Sequence, residues 1–381
     1  MPTILHTEAS RGLGGQEIRI LAETRWLLAH GWGALVACQP ESPLLAEARA
    51  AGVPAVPVPM RSALDLRALA ALRRLMRAGA VSLAHTHSSV DSWLGALAAR
   101  SLGLPVVRSR HVSIPIRRSR ALVYRLADRV ITSGEAVRAI VVGAGIAPAR
   151  VVSVPPGVDP ARFHPGVSGK AVREELGIPA GAPAVGLVAN IRGSKGHNVF
   201  LEAAREILGH SPGARFLIVG DGVGFAEVRQ RVRDMGLEPA VTMTGFRRDI
   251  PEIMAALDVL VLPSLRSEAT SQVIPQALAV GTPVVASTVG GNPELVRDGE
   301  TGRLVAPGDS RALADAILEL VKDPERARAL AHAVLSLIAD RDRARALARA
   351  GQAAALARHS LDASMARTTA VYRELLGATK N

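Results

Sequence analysis

The sequence predicts two α/β domains, each a doubly wound, mostly parallel sheet covered by helices, and three observations lead there. Short apolar runs alternate with helix-periodic segments along almost the whole chain, the rhythm of successive βαβ units. A length of 381 residues is too great for one ordinary core and suits two domains of about 150–200 residues. The rhythm breaks once, in a Pro- and Gly-punctuated stretch from Pro155 to Pro183, and then restarts. The expected division is a first domain at 1–165, a linker at 166–183, a second domain at 184–357 and a C-terminal helix at 358–381 returning to the first domain.

In the first domain the expected strands are Thr3–Thr7, Gly33–Cys38, Ala55–Pro59, Ser82–Thr86, Pro105–Ser109, Arg129–Thr132 and Val151–Val154. Between them lie helical segments such as Leu64–Arg77, where Leu66, Leu69, Leu72, Leu75 and Met76 recur at helical spacing and Arg67, Arg73, Arg74 and Arg77 fill other positions. The second domain is expected to carry strands at Ala184–Asn190, Ala214–Gly220, Ala240–Thr244, Val259–Pro263, Pro283–Ser287 and Gly302–Val305. From Asp309 onward the Ala-, Leu- and Arg-rich segments read as packing helices, since no heptad register is sustained. Ligands of such sheets bind outside the carboxyl ends of the strands, so the loops after strands are where chemistry is sought.

Composition closes off several classes. With 48% hydrophobic and 21% charged residues the chain can bury enough apolar surface to fold, which excludes disordered and fibrous classes. The single cysteine, Cys38, excludes a disulfide framework and a cysteine-based metal site, and fits a reducing compartment. The start Met1-Pro-Thr-Ile-Leu-His6 has no basic segment followed by a long apolar run, and no stretch reaches 18 apolar residues. The expectation is a cytoplasmic protein.

Charge is unevenly divided. Up to Pro165 there are 20 arginines, no lysine and 10 acids, a net of +10 out of the chain's +12. Arg108, Arg110, Arg117, Arg118, Arg120, Arg125 and Arg129 crowd together with one acid, Asp128. Such a patch attracts an anionic membrane surface or an anionic acceptor. Nucleic acid is not expected as a partner, because 3% aromatic residues leave few stacking platforms. A ratio of 42 Arg to 4 Lys also has the look of a general composition bias.

Candidate chemistry follows the strand ends. After the first strand, Arg11-Gly-Leu-Gly14-Gly15-Gln-Glu17 leads into a helix; it is either an anion-binding helix entry or a tight turn, and its spacing is not the dinucleotide fingerprint. The first strand of the second domain is followed by Asn190-Ile-Arg192-Gly-Ser-Lys195-Gly196-His197, two cations at a strand end that could hold a diphosphate leaving group. Then come Gly220-Asp-Gly222, the loop Pro263-Ser264-Leu-Arg-Ser-Glu268-Ala-Thr270-Ser271, the helix containing Gln276, and Gly290-Gly291-Asn-Pro293-Glu294. His85 and His87 alternate on a strand end, one expected to line a cleft and the other to be structural. No third metal ligand is visible in that pattern, and no metal site is expected.

In this order of motifs the chain resembles the family 4 glycosyltransferases of the GT-B fold, close to bacterial members that build lipopolysaccharide and other envelope glycans. The resemblance implies two Rossmann-like domains facing across a cleft and retaining transfer of a sugar from a nucleotide-sugar, a UDP- or GDP-sugar, without a bound metal or permanent cofactor. It implies that Arg192 and Lys195 bind the diphosphate and that Glu268, the first glutamate of the E-x7-E motif, lies near the donor sugar. Thr270 and Ser271 would contact the phosphates, with Asn190, Gly220 and Gly222 also on the nucleotide side. Gly14 and Gly15 match the flexible glycine loop, and His111 the histidine that faces the sugar. Domain closure would exclude water, and a lipid-linked or lipopolysaccharide acceptor at the inner membrane face would make the enzyme peripheral there. Two departures stand out. Gln276 replaces the second glutamate of the motif, and Asn190 occupies the usual place of the diphosphate arginine, with Arg192 two residues later. A nucleotide-sugar epimerase or hydrolase of the same fold, and a non-catalytic nucleotide-sugar-binding protein, remain alternatives.

Overall fold

A computed structural model describes residues 1–117, 120–266, 268–323 and 359–378. Arg118 and the expected packing helices within 324–358, which include the end of the proposed second domain, lie outside the described residues. The chain divides into two compact units: Met1–Pro156 with the C-terminal helix Leu361–Ala378, and Gly157–Ser360.

The first unit holds a seven-stranded parallel sheet made of β1 (Thr3–Glu8), β2 (Gly33–Cys38), β3 (Ala55–Pro57), β4 (Val81–Thr86), β5 (Val106–Arg110), β6 (Arg129–Thr132) and β7 (Val151–Ser153). Its order is β3-β2-β1-β4-β5-β6-β7. Successive residues of a strand point to opposite faces, and here both faces are covered, which is why the strands read as continuous apolar runs. Leu5, Ala84, Val106 and Val130 pack on one side with Leu72, Met76 and Tyr124. Ile4, Leu83, Val107 and Ile131 pack on the other with Leu27 and, from the C-terminal helix, Met365, Val371, Tyr372 and Leu375.

The second unit repeats the plan with β8 (Ala184–Val188), β9 (Arg215–Val219), β10 (Val241–Gly245), β11 (Val259–Leu262), β12 (Val284–Ser287) and β13 (Arg303–Val305), in the order β10-β9-β8-β11-β12-β13. Val185, Leu187, Phe216, Ile218, Val259 and Val261 face one core layer, and Leu217, Val219, Leu260, Leu262 and Val284 the other. Residues 166–183, expected as a linker, lie inside this unit. Val172 and Ile178 join its core, and Arg173 donates from Nη1 to the Ala256 carbonyl at 2.8 Å. Gly169 is a packing glycine there, since a Cβ would stand 2.2 Å from the Ala256 nitrogen. The unit's two ends run side by side, with the Val158 amide donating to the His359 carbonyl at 2.8 Å.

Both sheets share one consequence. Connections leave in opposite directions from β1 and β4 in the first unit and from β8 and β11 in the second, so each sheet has a topological switch point where loops part and leave a crevice. The segments following those four strands carry nearly every polar group considered below.

Candidate functional site

In the second unit, the loop after β8 and the loop after β11 meet at the switch point. Lys195 ends a single turn of 3-10 helix, Gly193–Lys195, and Gly196 then caps the helix His197–His210 with a left-handed φ of 73°. Only glycine fits: a Cβ there would lie 1.9 Å from the Pro263 carbonyl oxygen, so the two loops touch through backbone. The Leu265 amide donates to the Ser194 carbonyl at 2.9 Å and fixes the approach. This contact brings Lys195 Nζ to both oxygens of Glu268, at 2.9 and 2.7 Å, while Ser264 Oγ donates to Oε2 at 2.7 Å. Ser287, at the end of β12, donates to the Ser264 carbonyl at 2.6 Å and braces the same turn. Both charged side chains are largely buried, 13% and 7% exposed. Their pairing and the serine bond compensate the loss of hydration.

The remaining candidates surround this pair to different degrees. Gly290, with a φ of 58°, sits where a Cβ would overlap the Glu268 carbonyl, and the Gly291 amide donates to the Ala269 carbonyl at 2.7 Å. The Gly-Gly turn after β12 therefore clamps the Glu268 loop. Gly220 and Gly222, with φ of 139° and 152°, back onto the carbonyls of Ala189 and Ile191, which positions the exposed Asn190. Thr270 and Ser271 are buried, and Thr270 Oγ1 has no partner. His197 Nε2 is likewise buried without one. Burial foremost, then the charge of Lys195, holds the His197 imidazole down to about 4, so it is neutral at pH 7. Arg192 is exposed and makes no side-chain hydrogen bond or ion pair among the described residues. Gln276 is half-buried on the helix Val273–Val280. Lys195 and Glu268 are thus brought into contact, whereas Arg192 and Gln276 stand apart from that pair's hydrogen bonds.

The first unit gathers a different set. Parallel pairing of β1 with β4 puts His6 beside His85, and His87 follows two residues later. His87 Nδ1 lies 3.1 Å from His111 Nε2, and His87 Nε2 lies 2.9 Å from His6 Nδ1. His85 is engaged elsewhere, its ring nitrogens 2.5 Å from the Tyr372 hydroxyl and 2.8 Å from Ser109 Oγ. His6, His85 and His87 form a group of three potential metal ligands, so the third histidine that the local pattern lacks comes from β1. Its signal was register: a histidine on the first strand and a histidine pair on a strand that pairs with it. Neither His85 nor His87 is confined to the simple division of one lining and one structural residue, since both are buried and hydrogen-bonded. Burial holds His6 down to about 4 against the opposing charge of Glu23, and burial first of all keeps His85, His87 and His111 well below the usual imidazole range.

Gly14 and Gly15 begin the helix Gly15–Ala29, but its entry already holds carboxylates. The Gly14 amide donates to Glu17 Oε2 at 2.8 Å, and Glu8 accepts from the Ser10 amide at 2.7 Å and from Gln16. Burial, then the nearby Asp91 charge, pushes Glu8 up to about 8. Between the two readings of this loop, a capped turn describes its geometry. The arginine cluster also separates. Arg108 is buried with its guanidinium 4.1 Å from the Tyr124 ring centre, Arg110 donates to the Ile114 carbonyl, and Arg129 pairs with Glu374. Arg117, Arg120 and Arg125 are exposed.

Comparison with known proteins agrees with this architecture. Residues 13–162 match the family described as Glycosyltransferase Family 4, and residues 182–323 match Glycosyl transferases group 1. The UDP-Gal:alpha-D-GlcNAc-diphosphoundecaprenol alpha-1,3-galactosyltransferase of Escherichia coli is 29% identical over 276 residues, 68% of this chain and 71% of that protein. The D-inositol 3-phosphate glycosyltransferases of Actinosynnema mirum and Mycobacterium tuberculosis are 32% and 31% identical, and the chain spans 65% and 55% of their lengths. Among solved structures, Anabaena Alr3699/HepE in complex with UDP gives a TM-score of 0.82 at 23% identity, covering 98% of this chain and 100% of that one. A sucrose-phosphate synthase from Thermosynechococcus elongatus gives 0.78 at 22% identity, covering 99% and 100%. With two parallel doubly wound sheets and matches to both families on successive halves, the chain belongs to the GT-B glycosyltransferases of family 4 and group 1.

Proposed function

We propose that this glycosyltransferase takes its sugar from a nucleotide-sugar, a uridine diphosphate sugar ahead of a guanosine one, and passes it with retention to a hydroxyl of a lipid-linked or lipopolysaccharide acceptor at the inner membrane face. The observation that carries this reading is the Lys195–Glu268–Ser264 cluster at the switch point of the second sheet. A cation held by a buried carboxylate at a crevice suits a diphosphate that gains negative charge as it departs. Arg192, exposed and without a partner among the described residues, supplies the second cation, and Thr270 supplies a buried hydroxyl with unused hydrogen-bonding capacity. Ser271, Asn190, Gly220 and Gly222 complete the nucleotide side, Gln276 stands toward the ribose, and no resident metal takes part. The bond from the anomeric carbon to the diphosphate oxygen breaks as the acceptor oxygen bonds on the same face, and the acceptor's proton passes to the leaving phosphate. UDP in the bound state of Alr3699/HepE, and a UDP-galactose donor and diphosphoundecaprenol acceptor in the name of the Escherichia coli relative, support the uridine and lipid-linked choices.

Membrane association rests on the first unit's surface. Val112, Ile114 and Leu122 are 40–54% exposed beside the exposed Arg117, Arg120 and Arg125, an apolar and cationic mixture suited to anionic headgroups. A thermal-shift panel of UDP-, GDP-, ADP- and TDP-sugars, followed by product analysis with a diphosphoundecaprenol-linked sugar, tests the reading. Stabilisation by a UDP-sugar and sugar recovered on the lipid are expected, with EDTA leaving turnover unchanged. Sugar released or isomerised without an acceptor would replace it with hydrolysis or epimerisation, and binding without any turnover would make the chain a binding protein. Anionic vesicles should retain the wild type at low salt and lose the Arg117→Glu/Arg120→Glu variant; equal retention removes the membrane surface from the proposal.

A further inference from the structure

Three imidazoles in the first unit are joined end to end. His111 Nε2 meets His87 Nδ1 at 3.1 Å, His87 Nε2 meets His6 Nδ1 at 2.9 Å, and His6 Nε2 is buried with no partner. His111 is the half-buried end of the series, and its Nδ1 makes no hydrogen bond among the described residues. A neutral imidazole has one N–H and one lone pair, so each contact must join a donor to an acceptor and only two arrangements of the series exist. In one, every N–H points toward His6 and His111 Nδ1 is a bare acceptor. In the other, every N–H points toward His111, whose Nδ1 is then a donor.

The charges around the series choose between them. Glu23 acts on the His6 end, and its Oε2 is buried without a partner although Oε1 is bound by Arg19 Nε at 2.6 Å. Arg108 and Arg110 act on the His111 end, with Arg19 acting on His85, His87 and His111. Negative charge at one end and positive at the other align the ring dipoles, placing N–H groups toward Glu23 and the bare lone pair toward the arginines. His85 cannot interrupt the series, since both its nitrogens are engaged by Tyr372 and Ser109.

We propose that His6 and His87 are positioning residues that hold His111 as its Nε2–H tautomer, so that Nδ1 accepts a hydrogen bond from a hydroxyl of the transferred sugar. This rests on the sugar-facing role that the family resemblance gives His111, and it adds the reason that the contact has one polarity. Burial, and then the charges of Arg19, Arg108 and Arg110, disfavour a second proton on His111, so the Nδ1 lone pair is kept as an acceptor at neutral pH.

Long-range proton–nitrogen correlation spectra of the full chain with 15N-labelled histidine read the tautomer directly, with His111→Gln assigning its signals. The expected wild-type result is a His111 protonated at Nε2 only, unchanged between about pH 6 and 8. His87→Leu should give a mixed or titrating His111 and lower kcat about tenfold with an unchanged donor KM, the loss of one well-oriented hydrogen bond. His87→Gln, whose amide offers both a donor and an acceptor, should restore most of it. An Nδ1–H tautomer in the wild type, or an unaltered His111 tautomer in His87→Leu, overturns the proposal. So does stoichiometric uptake of Zn2+ that is lost in His6→Gln, since a metal on His6 and His87 would occupy the lone pairs of the series. Normal turnover by His111→Gln with the wild-type tautomer as expected overturns the sugar-facing role alone and leaves the control of the tautomer standing.

Discussion

The two switch points solve the same problem in opposite ways. Each is a crevice between parallel strands at the middle of a doubly wound sheet, and each gathers polar side chains that burial would penalise. In the second unit the solution is charge against charge, with Lys195 on both oxygens of Glu268. In the first it is neutrality: four histidines held below their usual range and a glutamate, Glu8, held above its own. The difference suits different tasks. Under the proposed function, the ion pair would present a cation to a charged leaving group, whereas the neutral cluster would fix hydrogen-bond direction without drawing in counterions.

The comparison breaks most readily at Lys195. Lys195→Ala should cut turnover about 10²–10³-fold, the effect of losing one donor to the departing charge. It should also lower the melting temperature, because Glu268 is left buried with Ser264 alone, a loss of up to about 3 kcal/mol. Adding Glu268→Gln should recover the melting temperature and none of the turnover. Calorimetry beside steady-state kinetics separates the two, and a double variant as unstable as the single one would show that the pair does not support the fold.

Backbone closeness is the next lever. Gly196→Ala meets the Pro263 carbonyl, while Gly236 has a similar φ of 67° and open space around it. Gly236→Ala should therefore cost only the left-handed strain, about 1–2 kcal/mol, and Gly196→Ala distinctly more. Equal chemical-denaturation midpoints for the two would remove the loop contact as the reason for glycine at position 196.

Solution pH should act mainly on the first unit. Glu8 keeps its proton up to about 8 when folded but loses it near 4.5 when unfolded, so the folded state binds more protons between those values. Its contribution is present at low pH and is lost as pH rises toward 8. The depressed histidines act in the other direction: unfolding takes up protons below about 6.5, and stability falls as pH drops toward 4. Glu8→Gln should flatten the decline between about pH 6.5 and 8 and steepen the acid limb above about pH 4.5, where Glu8 opposes the histidines, read as melting temperature against pH. Hydrogen exchange near pH 5 should open the first unit, with its four depressed histidines, before the second, where His197 is depressed.

The smallest effect belongs to Gln276. Gln276→Glu should restore charge assistance to a ribose hydroxyl and lower the donor KM by about fivefold, near 1 kcal/mol. No change in KM would mean that the half-buried residue on the helix Val273–Val280 does not reach the ribose.

Local pattern was enough for the sheets. Apolar runs bounded by Gly and Pro located β1 to β13 within two residues at each end, because strands buried on both faces read as short continuous apolar runs whose length and flanking Gly and Pro set them apart from helices. Motif order was enough for the family, and the position of Lys195 at a strand end was enough to mark it as a candidate cation. What sequence spacing did not carry was contact between distant loops. Glu268 is 73 positions from the lysine that it binds, and Ser264 gains importance only because Gly196 lets the two loops touch. The segment 166–183 has the punctuation of a linker, yet its Gly169 is there to admit the backbone of Ala256. His6 lies 79 residues before His85, and only strand register joins it to the series ending at His111. Sequence by itself determined the periodicities and the residue types, which depend on neighbours along the chain. Tertiary structure decided the pairings and the burial that shifts the titrating groups, which depend on which buried groups share the same few ångströms.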